Sequence, residues 1–173
     1  MNRTNTNTGL LDRLFASQAG WAPLVPRLAA GAIFIGHGAQ KLFGAFGGYG
    51  LEGTGQFFAS LGLNPGYTMA LLAGSAEFFG GIALLLGLLL RPAAAVLAFT
   101  MLVAIFGVHI DAGLFLPNGY EFALSLFAVS VGLAISGAGR LALDSLIAEW
   151  LAGGTPAAAR PQAGSNRFAH QTS

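Results

Sequence analysis

The chain has 173 residues, of which 54% are hydrophobic and 9% charged, against about 25% charged in a soluble domain. So few charges cannot cover a water-facing surface, and a net charge of +1 leaves no excess of cations to neutralise nucleic-acid phosphates, so nucleic acid is excluded as a partner. The absence of cysteine excludes disulfides, thiolate metal sites, iron–sulfur clusters and covalent haem attachment. The fold expected is an all-α membrane protein: a four-transmembrane-helix bundle with flanking interfacial amphipathic helices, its partner the lipid bilayer.

Residues 1–25 carry Arg3, Asp12 and Arg13 ahead of the first apolar run, with no small-x-small cleavage site behind it. The first helix is therefore expected to act as its own uncleaved insertion signal. Leu10, Leu11, Leu14 and Phe15 share one helical face and predict a short interfacial helix in this segment. A bilayer core about 30 Å thick needs about 17 to 25 apolar residues, and the segments 26–43, 67–90, 92–110 and 120–136 supply them, making 26–136 a transmembrane domain. Pro26 and Pro92 suit first-turn positions, and Pro65-Gly66 and Pro117-Asn118-Gly119 read as turns. Arg91-Pro92 leaves a very short connection, so the second and third spans should form an antiparallel hairpin.

Between the first two spans, the stretch from Gly44 to Gly66 is rich in glycine around a single Glu52. No Gly-Lys-Ser/Thr follows, so it is not a phosphate cradle. Thr54 is expected to cap a short helix carrying Phe57, Phe58, Leu61 and Leu63, either a lid over the bundle or a plain connector. After the last span, Leu143, Leu146, Ile147, Trp150 and Leu151 form an apolar stripe. Residues 137–152 are thus a second interfacial helix, with Asp144 on its polar face. Residues 153–173 have no stripe and the composition of a disordered tail.

Arginine and lysine fall unevenly about these spans. Arg3, Arg13, Arg27, Arg91, Arg140, Arg160 and Arg167 lie on one side and Lys41 alone toward the other. Positive flanks are retained inside, so both termini of this multi-pass protein are expected in the cytoplasm. Arg91 and Arg140 serve here as orientation signals.

Ionisable side chains within spans cost about 2.5 to 3.5 kcal/mol each on insertion scales, so the polar residues left inside call for a reason. His37 and Glu77 both fall near mid-depth and are expected to face one another. Lys41 and Gln40 follow His37 on the same helical face, nearer the outside. His109, Asp111 and Glu121 lie at that outer end too. Glu77 shares its face with Ala70, Ala73, Gly74, Gly80 and Gly81, small residues that admit a neighbouring helix. Ala128, Gly132 and Ser136 predict a second such seam. Phe34, Phe78, Phe79, Phe99, Phe106 and Phe127 either pack or wall a pocket. The His37–Glu77 pair could also be purely structural, and Lys41 could instead snorkel to the outer headgroups.

The segments His37-Gly38-Ala39-Gln40-Lys41-Leu42-Phe43-Gly44, Phe57-Phe58-Ala59-Ser60-Leu61-Gly62-Leu63 and Glu77-Phe78-Phe79-Gly80-Gly81 resemble the DoxX family of small bacterial membrane proteins. So do His109, Gly119-Tyr120-Glu121, and Gly137-Ala138-Gly139-Arg140 through Asp144, so that the resemblance spans about residues 27–144. The family is named after a subunit of an archaeal thiosulfate:quinone oxidoreductase, and the resemblance implies a fold and a redox context.

On this basis a quinone-like or other small redox ligand is expected in the outer half of the bilayer. His37, Lys41 and Glu77 would be the catalytic, proton-handling groups and Gln40, His109 and Glu121 the ligand-binding ones, with no metal. A soluble oxidoreductase partner would supply the electrons. The alternatives are a small-molecule carrier or proton-coupled transporter, for which a homodimer would supply the missing repeat, and a non-catalytic membrane anchor for a soluble oxidoreductase. A b-type haem between His37 and His109 is disfavoured, because their depths differ by about 7 to 8 Å and two axial ligands need nearly equal depth.

Overall fold

A computed structural model of the chain describes residues 15, 17 and 19–151. The stripe at Leu10, Leu11 and Leu14 and the tail over 153–173 lie outside them. The described residues contain no strand and six α-helices: α1 (Leu24–Phe43), α2 (Gly50–Ser60), α3 (Gly66–Leu86), α4 (Leu90–Ala104), α5 (Glu121–Ser136) and α6 (Leu143–Leu151).

Helix α1 begins two residues before Pro26, which keeps that proline in the first turn where no backbone N–H is needed. It stops at Gly44, whose φ of 69° ends the helical path. Its buried positions, Arg27, Ala30, Gly31, Phe34 and Gly38, follow the helical period and face α3 and the core. The α1–α3 contact is antiparallel and set by glycine. A Cβ on Gly38 would stand 2.4 Å from the Phe78 amide nitrogen, and one on Gly31 would stand 2.9 Å from the Gly81 carbonyl oxygen. Such backbone-to-backbone approach leaves no room for any larger residue.

Helix α3 ends at Leu86, four residues short of the expected Leu90. Gly87 turns into the left-handed region at φ 62°, and the Leu88 N–H closes back on the Ala83 carbonyl at 3.0 Å. The hairpin turn is therefore Gly87-Leu88-Leu89 rather than Arg91-Pro92. Its other half is capped from far along the chain. The Asp144 carboxylate accepts the Leu89 N–H at 2.7 Å and the Leu90 N–H at 2.9 Å, while the Asp144 N–H donates to the Gly87 carbonyl at 2.9 Å. Asp144 is 1% exposed, which corrects its expected place on the polar face of an interfacial helix: two otherwise orphaned helix-start donors need it. Burial pushes its carboxyl above the ordinary aspartate range, opposed by these N–H donors and by the Arg27 charge.

The arginines at this end are built into the structure as well. Arg27, 1% exposed, donates to the carbonyls of Ala138 at 2.9 Å and Leu141 at 2.7 Å. Arg91 donates to the carbonyls of Ala134, at 2.8 Å, and Ile135, in the last turn of α5, where free carbonyls and the helix dipole favour a cation. The Arg140 guanidinium lies 5.7 Å from the centre of the Trp21 ring.

Leu90, Leu97, Met101 and Ile105 of the α4 strip pack with Ala123, Leu126 and Leu133 of α5, and Phe34 joins them from α1. Contacts α1–α3, α3–α4, α4–α5 and α5–α1 close the ring. Ala128 and Gly132 are exposed and a Cβ on Gly132 would meet nothing within 4 Å, so the expected second seam faces outward. Helix α5 instead buries Ala123, Leu126, Ser130 and Leu133.

Beyond Ala104 the third apolar segment continues through a π-helical turn, Ile105–His109, and a 3-10 turn, Ile110–Ala112. Among the described residues, two stretches are long and apolar enough to cross a membrane: Gly66–Leu86, with mean hydropathy 1.8, and Leu90–Ala112, with 2.3. Glu121–Ser136 is a shorter apolar helix. Large apolar side chains such as Phe79, Phe106 and Ile135 cover the outside of the bundle. On α6 the stripe of Leu143, Leu146, Trp150 and Leu151 is exposed.

Candidate functional site

Side chains on a helix lean toward its N-terminus. Because α1 and α3 are antiparallel, Lys41 leans back along α1 while Glu77 leans forward to meet it. The Lys41 Nζ stands 2.6 Å from the Glu77 Oε2, and the two side chains are 22% and 4% exposed. The helix crossing that permits this is again small-residue packing, with Gly74 set against Leu42 and the Lys41 stem. Glu77 therefore pairs with Lys41 and not with His37. The His37 ring instead lies 5.8 Å from the Phe122 ring at the start of α5. Lys41 turns inward, which answers the alternative that it snorkels to headgroups.

This pair sits at the edge of a cavity of about 720 Å³, within the size range of small-ligand sites, about 300 to 1,000 Å³. His37, Gln40, Lys41 and Glu77 form its polar side. Leu72, Ala73 and Ala76 of α3 and Val96, Phe99 and Val103 of α4 form two apolar walls. His109 also lines it, from the π-helical turn, with its Nδ1 2.8 Å from the Asn118 carbonyl oxygen. Glu121 is not among the lining residues. Its Oε1 accepts the Leu116 N–H at 2.9 Å and so holds the turn before α5.

Helix α2 roofs the cavity with Phe57 and Phe58. It starts at Gly50, so Thr54 is an interior residue and not the expected cap; it is buried and faces the cavity. A Cβ on Gly66 would stand 2.1 Å from the Gly55 carbonyl oxygen, so α2 is seated directly on the start of α3. Tyr49 and Thr100 also line the cavity, although neither stands out in the sequence as a candidate. Their signal was the helical register of 50–60 and of α4, and no charge drew attention to them. Of the six phenylalanines considered, Phe99 alone lines the cavity. Phe34 is fully buried in the core, and Phe78 packs edge-on against Phe43 and Phe79.

A bundle that is apolar outside and turns its ion pair inward toward a cavity is the arrangement of a membrane protein. The chain belongs to the DoxX family, whose family model matches residues 22–110. That match takes in His37, Gln40, Lys41, Glu77 and His109. The chain is 37% identical over 124 residues to a Bacillus subtilis (strain 168) protein named "Putative oxidoreductase CatD", covering 72% of this chain and 85% of that one. It is 37% identical over 123 residues to an uncharacterized protein of Haemophilus influenzae, covering 69% of this chain and 85% of the relative. No solved structure matches the chain significantly.

Proposed function

We propose that the protein is a four-span, multi-pass protein of the bacterial inner membrane, with both termini cytoplasmic, that binds a quinone-like redox ligand in the cavity beneath α2. It acts as the membrane subunit of an oxidoreductase system. The observation that carries this reading is the Lys41–Glu77 ion pair, joined by His37 and Gln40, on one side of an otherwise apolar cavity. Reducing a quinone to a quinol takes up two electrons and two protons. An apolar space accepts the ring, and the ammonium of Lys41 is a hydrogen-bond donor for a quinone carbonyl whose negative charge grows as electrons arrive. Glu77, freed from Lys41 as the carbonyl takes its place, is a group that can pass a proton onward, and His37 is the next titratable side chain on the same face. The electrons come from a soluble oxidoreductase partner; the redox context is in keeping with the name carried by the Bacillus relative.

Glu77→Gln tests this. It keeps the side-chain shape and an acceptor for Lys41, so folded protein should remain near the wild-type amount. It removes the proton-carrying group, so quinone-linked turnover in membranes containing the partner system should fall about a hundredfold or more, the scale of one general acid–base group. Wild-type turnover per folded molecule would leave the pair as structure alone.

A further inference from the structure

We infer that the ligand of this cavity carries a lipid tail, and that the tail leaves the bundle sideways between α3 and α4 into the bilayer. The inference rests on the reading of the cavity as a ligand site and adds the route and class of the ligand.

The two helices part along their length. Near their shared turn they touch: a Cβ on Gly80 would stand 3.0 Å from the Leu97 Cγ. One turn further from the hairpin, Ala76 and Thr100 already line the cavity, followed by Ala73 and Val103. The far end is shut. Leu63 folds down after α2, its N–H held by the Phe58 carbonyl at 3.0 Å, and its Cδ1 would lie 3.6 Å from a Cβ on Gly107 in the π-helical turn. On the α1 side the ion pair and the Gly74–Leu42 contact close the wall. The remaining flank is formed by Leu72, Val96, Phe99 and Val103, which line the cavity yet are 59%, 51%, 67% and 40% exposed. All four are apolar, and they belong to the two stretches long and apolar enough to cross a membrane.

The ion pair thus sits at the deep end, with Glu77 3% exposed, and the side chains of Leu72, Val96, Phe99 and Val103 sit at the mouth. A ligand matched to that gradient has a compact hydrogen-bonding head and an alkyl or isoprenoid tail. A water-soluble substrate has no reason to enter through this flank. The competing route is from the aqueous side past Gly47, Gly48 and Tyr49, which line the opposite rim.

Two probes sharing a dimethoxy-methyl-benzoquinone head, one without a tail and one with a decyl tail bearing a diazirine close to the head, decide between the routes. After irradiation with the full chain in lipid nanodiscs, adducts are expected on 67–76 and 92–104. Adducts confined to 44–63 would overturn the lateral route while leaving the ligand reading intact. In Val103→Trp the indole fills the gap at a half-exposed position, so binding of the tailed probe should weaken about tenfold, with the tail-less probe changed less than about twofold. Equal loss for both probes, or none for either, would also overturn the route. If neither probe binds the wild type, the ligand reading and the lateral route fall together.

Discussion

Lys41→Met tests the geometry of the site most directly, because it removes the ammonium and keeps the stem that packs beside Gly74. The Glu77 side chain is 4% exposed and its partner stands 2.6 Å away, so little water can replace what is lost. Removing one partner of a buried pair costs about 3 to 5 kcal/mol. The Lys41 side chain is 22% exposed, so some screening is available and the lower end of that range, about 3 kcal/mol, is expected. Glu77→Gln keeps a neutral acceptor for the ammonium and should cost about 1 to 2 kcal/mol. The double variant Lys41→Met with Glu77→Gln leaves no unpaired charge, so the cycle should show a coupling of about 2 kcal/mol. Unfolding in mixed micelles titrated with dodecyl sulfate, followed by helical circular dichroism, gives all four stabilities. His37→Phe is the control: its ring meets Phe122 and not Glu77, so its coupling to Glu77 should be small. A Lys41→Met cost near zero, or a His37–Glu77 coupling larger than the Lys41–Glu77 one, would refute the argument from side-chain lean.

Three further outcomes follow from other contacts. Asp144→Ala leaves the Leu89 and Leu90 N–H groups buried without an acceptor and should cost about 2 to 4 kcal/mol, whereas Asp144→Asn keeps one acceptor and should cost less, as read by the same unfolding titration. Because burial raises the Asp144 carboxyl, the folded state holds that proton more tightly than the unfolded one; the stability it contributes is full below about pH 4 and is lost as pH rises through the elevated value, so Asp144→Asn should flatten this dependence. Gly38→Ala forces a Cβ to 2.4 Å from the Phe78 nitrogen and should abolish most folded protein, while Gly132→Ala, with nothing within 4 Å, should be neutral or gain about 1 kcal/mol in helix propensity, both scored by monodisperse yield. A reporter active only outside the cytoplasm should work when inserted near Glu52 and fail when fused after Ser173; the reverse pattern would overturn the charge-based orientation.

How much of this was legible in the sequence depends on the range of the interaction. Apolar length and turn residues are local, and they located the helices to within a few residues. The costly residues inside the apolar segments come together in the fold, since His37, Gln40, Lys41, Glu77 and His109 all line one cavity. Depth along a helix axis did not say which of His37 and Lys41 meets Glu77. That choice depends on the antiparallel register fixed at Gly38 and Gly74 and on the opposite lean of side chains on the two helices. The end of α3 was misjudged for a related reason. The cap that starts α4 is Asp144, 54 residues beyond Leu90, and nothing near Leu89 announces it. The seam at Ala128 and Gly132 failed because small size permits close packing without requiring it.

The polar residues thus divide by what they neutralise. At the hairpin end, Asp144, Arg27 and Arg91 bond to backbone N–H and C=O groups at helix ends, so their charges are spent on fixing where α3, α4 and α5 converge. At the other end, Lys41 and Glu77 satisfy one another, and no backbone group depends on either. A ligand can displace a side chain that answers only to another side chain without unravelling a helix. It could not displace Asp144 without orphaning two amides. The pair beside the cavity and the backbone-bonded cluster at the α3–α4 hairpin are therefore separable: a substitution in the pair leaves every helix-end group at the hairpin satisfied.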